Sequence, residues 1–177
     1  MKERITVALI YDFDGTLAPG NMQEYDFIPA VGKSNMEFWH EANTLAEEQD
    51  ADQVLTYMAR MLQAAKSKGL SLRREAFRES GRNVQFYRGV VEWFKRINDY
   101  GAERGINILH YVNSSGLKEI IEGTAIAHEF KNIYACSFLY NVDGIAYWPA
   151  VAVNYTNKTQ FIFKINKGVE SVYDTKQ

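Results

Sequence analysis

The run Ile5–Tyr11 (ITVALIY) is almost wholly apolar and ends at once in Asp12 and Asp14. A short, nearly continuous apolar run reads as a strand covered on both faces, which is the pattern of a parallel sheet. Parallel neighbours need long crossovers, usually helical, so the rest of the chain has to supply them. Residues at i and i+2 of an extended segment point the same way, which puts both aspartates in one space at the strand's carboxyl end. Two like charges beside apolar surface resist joint ionisation. A hard divalent cation such as Mg²⁺, which prefers carboxylate, carbonyl and water oxygens, would relieve them. Gly15 lets the chain turn away at once, and Thr16 is suited to hydrogen bonding within that turn.

Helical spacing dominates from Asn21 to about Gln85. Val54, Met58, Met61, Leu62 and Ala65 fall on one stripe of a helix that ends at Lys68-Gly69, and Ser71 opens another. No strand is expected in this region. Alternation then resumes: a helix over Val90–Tyr100, a strand over Ile106–Val112, a sharp turn at Asn113-Ser114-Ser115-Gly116, and a helix over residues 117–130. A third strand, Asn132–Leu139, passes through the Asn-Val-Asp-Gly turn at 141–144 into Ile145–Trp148, a hairpin. Phe161, Ile165, Val169 and Tyr173 predict a final helix over Thr159–Tyr173, which Gly168 weakens. The order implies an α/β fold with right-handed crossovers. Its Rossmann-like parallel sheet core is built from residues 1–20 and 86–177, and a helical cap, residues 21–85, is inserted after the first strand.

The 177 residues suffice for one core plus a small module. A formal net charge of −2 argues against nucleic acid or an anionic membrane as the main partner. No apolar stretch reaches membrane-spanning length, and Ile5–Tyr11 is too short for a signal-peptide core. The one cysteine, Cys136, excludes an internal disulfide and suits a reducing, cytoplasmic setting. Without a secretory signal, the glycosylation-like triplets at Asn113, Asn154 and Asn157 read as chance.

Open parallel sheets bind ligands beyond the carboxyl ends of their strands, where Asp12–Thr16 and Asn113–Gly116 both fall. A calcium loop of the EF-hand type is excluded, because counting from Asp12 glycine stands fourth, Gln23 stands twelfth and a strand precedes the loop. The plain alternative is a polar turn. The full string DFDGTL after an apolar strand resembles the first motif of the haloacid dehalogenase (HAD) superfamily of phosphohydrolases. The resemblance implies that Asp12 is the nucleophile that becomes an aspartyl-phosphate and Asp14 the general acid/base, both at a Mg²⁺ site. INILHYVNSSGL is similar to the second motif, with Ser114 in the motif position. Its hydroxyl and the following backbone at Ser115 and Gly116 would then hold phosphoryl oxygens at a helix start; helix capping is the plainer reading of these serines. Lys158 matches the third motif, a lysine that neutralises the phosphoryl group; Lys164 and Lys167 lie deeper in the expected helix. His110 reads as a core or sheet residue and Cys136 as a small buried hydrophobe; His40, with Trp39, lies in the cap, where packing is the plainer reading and contact with substrate the alternative. SSGLKEIIEG brings the core nearest to phosphoserine-phosphatase-like members, and the insert corresponds to the helical cap that covers the site.

The resemblance then breaks. The family's fourth motif, an acidic pair on a further strand beyond Lys158, has no counterpart, since the acids in that stretch, Glu170 and Asp174, fall in an expected helix or tail. The core sheet is therefore expected to be incomplete, with ITVALIY as a bare edge open to self-association. A chain cut short is favoured over a sheet completed by another chain or a divergent site. The expected function is Mg²⁺-dependent hydrolysis of a small phosphorylated metabolite, impaired in this form. Phosphoryl transfer between positions of a sugar would use the same residues. A non-catalytic remnant binding a phosphorylated ligand or a protein is the alternative. Nothing in 21–85 specifies the substrate.

Overall fold

A computed structural model of the chain describes residues 5–172. Strand β1 (Ile5–Tyr11) is followed by the short helix α1 (Phe27–Ala30) and by α2 (Asn35–Gln49), α3 (Gln53–Ser67) and α4 (Arg74–Gly81). Helix α5 (Val90–Ala102), strand β2 (Ile106–Leu117), helix α6 (Lys118–Glu122), strands β3 (Asn132–Tyr140) and β4 (Ala146–Val151), and helix α7 (Lys158–Asn166) complete the order. The sheet runs β1-β2-β3-β4, parallel except for the β3–β4 hairpin. This is the α/β, Rossmann-like arrangement expected from the sequence.

Local chemistry fixes the long helices. Ser34 and Glu37 form a reciprocal capping box at the start of α2, satisfying donors that would otherwise be orphaned. The Asp52 carboxylate caps α3 by accepting from the amides of Val54 and Leu55, a contact worth about 1 kcal/mol. The expected stripe on α3 is largely the buried one, with Met58, Met61 and Ala65 fully inside. Phe13 is fully buried between the two aspartates, and burying such a ring contributes about 1.5–3 kcal/mol. The side chain between Asp12 and Asp14 thus anchors the strand end that presents both.

Four expectations are corrected. β1 is not covered on both faces, since Ile5 and Val7 are exposed; that only β2 pairs with it among the described residues agrees with the bare edge expected for this run. β2 does not end at Val112 in a sharp turn. It continues to Leu117 through a bulge in which three residues, Ser114 to Gly116, stand opposite the single residue Ala135 of β3. The helix expected over 117–130 is only the five residues of α6 and a 3₁₀ turn, Ala127–Glu129, because Gly123 packs against the backbone of Arg78 where a longer helix would need side-chain room. α7 begins one residue early and ends before Gly168, which takes φ +69°; Tyr173 lies outside the described residues.

Candidate active site

The end of β1 is shaped by a tight turn. The amides of Thr16, Leu17 and Ala18 all point to the Phe13 carbonyl, and Gly15 adopts φ +71°, a conformation that disfavours any side chain. Asp12 accepts from its neighbour's amide, Phe13 N, at 2.8 Å through Oδ1. Its Oδ2 receives Lys158 Nζ at 2.7 Å, the two side chains being 44% and 25% exposed. Asp14 is deeper, and its Oδ1 accepts from Met22 N at 2.9 Å. Burial, then the nearby Asp12 and Glu24 charges, push the Asp14 carboxyl up to about 7 against an ordinary 3.8; the Met22 amide and Lys158 act the other way.

Lys158 reaches Asp12 because the loop before α7 is folded on itself. Asn154 Oδ1 accepts from the amides of Thr156 and Asn157, while Asn157 Oδ1 accepts from Asn154 N. Asn154 Nδ2 also donates to Asp52 at 2.8 Å, tying the start of α3 to this loop. From β2, Asn113 Nδ2 donates to the Lys158 carbonyl at 2.8 Å. The triplet that reads as chance in sequence is thus a structural turn.

Asp12, Asp14, Ser114, Ser115 and Lys158 line one cavity of about 230 Å³. Gly116 does not line it. Its amide donates to Ser114 Oγ at 3.0 Å, and the next amide, Leu117 N, points to the Met22 sulfur. The bulge therefore turns the Gly116 amide, expected to hold phosphate, and the Leu117 amide after it onto the protein itself, and Gly116 serves as the close approach that admits Met22 and Asp14. α6 starts at Lys118, too late and too short to act as an anion-binding helix end.

The wall facing these residues comes from the helical segment: Gln23 of the 3₁₀ turn Met22–Glu24, Trp39 and Asn43 of α2, and Gln53 and Tyr57 of α3. Of these only Trp39 stands out in the sequence, as a cap residue placed to pack or to touch substrate. Their only signal is a pair of i, i+4 relationships, Trp39/Asn43 and Gln53/Tyr57, which acquires meaning once both helices are seen to face the strand ends. His40 is exposed and outside the cavity. His110 is buried in β2 between Tyr11 OH and Asn98 Oδ1, both at 2.9 Å, and burial lowers its pKa. Cys136 is fully buried in β3.

The donor chemistry suits Mg²⁺. Every candidate ligand is an oxygen, and this ion commonly takes one or two carboxylates together with substrate oxygens and water. Asp12 and Asp14 are the carboxylates available, since no group of three His, Cys, Asp or Glu residues able to hold a metal occurs among the described residues. Glu170 pairs with Lys131 at 2.8 Å, and neither residue lines the cavity. Asp174 lies outside the described residues.

Residues 9–157 match the family model of haloacid dehalogenase-like hydrolases, and the chain belongs to that family. It is 29% identical over 193 aligned positions to an uncharacterized protein of Borreliella burgdorferi, covering 95% of this chain and 67% of that protein. Among solved structures it is similar to a HAD family hydrolase from Salmonella enterica serovar Typhi, with TM-score 0.63, 12% identity and 92% of this chain covered. This chain spans about half of that structure, 51%. A substrate-bound phosphoserine phosphatase gives TM-score 0.60 at 15% identity, covering 94% of this chain and 72% of that one. A phosphoserine phosphohydrolase-like protein from Francisella tularensis gives 0.58 at 19%, covering 96% and 75%. At these identities the structures establish a shared fold, that of phosphoserine phosphatase-like HAD hydrolases.

Proposed function

We propose that the chain is a phosphohydrolase acting on a small phosphomonoester through an aspartyl-phosphate on Asp12. The observation that carries this reading is the convergence of Asp12, Asp14, Ser114 and Lys158 on one cavity from β1, β2 and α7. An Asp12 carboxylate oxygen attacks phosphorus and the ester P–O bond breaks. The leaving oxygen takes a proton from Asp14, whose elevated pKa keeps a substantial protonated fraction near neutrality. Asp14, now ionised, accepts a proton from the water that cleaves the acyl phosphate and releases inorganic phosphate. Lys158 holds Asp12 in place and offsets negative charge on the phosphoryl oxygens, and the Ser114–Ser115 bulge bounds them on the β2 side. Asp12 would hold Mg²⁺ together with substrate and water oxygens, and Asp14 would join it once ionised; when bound, the ion supplies further positive charge to the phosphoryl group.

In this reading the helices of residues 21–85 serve as the cap, and the protein works in the cytoplasm; no helix among the described residues is long and apolar enough to cross a membrane. Pairing between bare β1 edges belongs to the same proposal, supported by the exposure of Ile5 and Val7. Slow Mg²⁺-dependent turnover of p-nitrophenyl phosphate, abolished by Asp12→Asn, is the expected result, the rate being limited by a donor set of only two carboxylates. The two-carboxylate donor set favours one second reading, a catalytically silent phosphate-ligand binder. A beryllium fluoride adduct formed with Mg²⁺ on Asp12, seen by ¹⁹F resonance, supports the enzyme; its absence supports the binder.

A further inference from the structure

Charge in the cavity is confined to one end. Asp12, Asp14 and Lys158 are the only ionisable acid or base groups lining it among the described residues, apart from the Tyr57 phenol. The side chains that line the opposite wall are neutral, the Glu24 carboxylate behind them being taken by Trp39 and Asn21, and their polar capacity divides into two kinds. Trp39 has committed its Nε1–H to Glu24 Oε1 at 2.7 Å, and Tyr57 has committed its hydroxyl to the Ser115 carbonyl at 2.7 Å. Both rings therefore offer apolar surface. The amides of Gln23, Asn43 and Gln53 are uncommitted. Gln23 is 1% exposed, and its buried Oε1 has no hydrogen-bond partner among the described residues. The side chains of Asn43 and Gln53 are engaged by no described residue.

A buried acceptor without a partner costs about 1–3 kcal/mol, a cost relieved when a ligand donates to it. An amide both donates and accepts, as a hydroxyl does, so three amides around ring surface match a carbon chain bearing several hydroxyls. They do not match an ammonium and a carboxylate, each of which needs an opposite charge when taken out of water. The volume of about 230 Å³ lies below the roughly 300–1,000 Å³ typical of drug-sized ligands and suits a short leaving group. We propose that the leaving-group half of the cavity takes an uncharged, hydroxyl-bearing chain, so that the substrate is a small polyol or sugar-type phosphomonoester and not a phosphorylated amino acid. This rests on the phosphohydrolase reading and narrows it.

The test is calorimetric binding to the full chain in the presence of Mg²⁺, using inorganic phosphate, sn-glycerol 3-phosphate, D-ribitol 5-phosphate and O-phospho-L-serine. A polyol phosphate is expected to bind at least about tenfold more tightly than O-phospho-L-serine. Asn43→Ala and Gln53→Ala, both at exposed helix positions, are expected to cut polyol phosphate affinity about 3- to 10-fold each. Gln53→Arg is expected to raise O-phospho-L-serine affinity by supplying a carboxylate partner. Equal or tighter binding of O-phospho-L-serine by the unaltered chain overturns the proposal, as does inorganic phosphate binding with no gain for either polyol ester. No binding of inorganic phosphate overturns the phosphohydrolase reading beneath it.

Discussion

Asn113 Nδ2 grips the backbone carbonyl of Lys158 at 2.8 Å, from a strand 45 positions earlier in the chain. The residue that delivers charge to Asp12 is thus held by the strand that carries Ser114. Asn113 is 4% exposed and its Oδ1 has no partner among the described residues, so the side chain is retained at a cost that its single bond has to offset. Asn113→Ala is expected to weaken p-nitrophenyl phosphate turnover about tenfold by releasing the start of α7. Its effect on stability should be small, about 1 kcal/mol in urea unfolding, because the orphaned oxygen leaves together with the bond. Lys158→Ala should lower turnover further, and the double variant should add little, as expected for residues acting through one contact.

Asp14 makes stability depend on pH in a direction that can be worked out. Burial holds its pKa near 7 in the folded chain, above the ordinary 3.8, so folding favours the protonated form. The stabilisation this gives is complete below about pH 4 and is lost as pH rises through 7. Asp14→Asn, which keeps an acceptor for Met22 N, should therefore be more stable than the unaltered chain at pH 8, by on the order of 2 kcal/mol, with the difference closing near pH 4. Added Mg²⁺ favours the ionised pair, so it should raise Tm more at pH 8 than at pH 5, and a chelator should reverse the gain.

Gly116 is a steric prediction. A Cβ there would run into the Met22 thioether and lie 2.9 Å from Asp14 Oδ2, with the Met22 methyl closer still. Gly116→Ala is expected to cost about 1–3 kcal/mol in urea unfolding. Because Met22 N is the amide that holds Asp14, turnover should fall with it, whereas Gly105→Ala, where an added Cβ meets nothing but the backbone has φ +68°, should affect stability alone.

The edge of β1 should respond to charge. Val7→Lys places a cation on an exposed strand position and discourages edge-to-edge pairing. Sedimentation velocity at high protein concentration should show less dimer for this variant, with unchanged circular dichroism.

Much of this was legible in the residues. The apolar run of β1, the DFDGTL turn and the helical stripe of α3 each carry a local period or a local turn chemistry, and those survive folding. Lys158 was legible only through resemblance, because nothing local marks it as reaching Asp12. The bulge at 114–116 was not legible: Asn-Ser-Ser-Gly favours a turn in isolation, and the strand continues through it because β3 offers a shifted partner at Cys136. Gln23, Asn43 and Gln53 were invisible for a related reason. An amide on a helix reads as solvated surface until the element opposite it is known.

The register of the sheet also bears on how the chain is made. Ile5 pairs with Ile106 and Tyr11 with Val112, so β1 leaves the ribosome about a hundred residues before its partner exists. At roughly 5–20 residues per second that is a wait of about 5–20 s. During it the apolar strand has no partner, whereas the caps of α2 and α3 involve only residues already made. Slowing translation within codons 12–105 lengthens the interval in which a holdase chaperone has ITVALIY within reach.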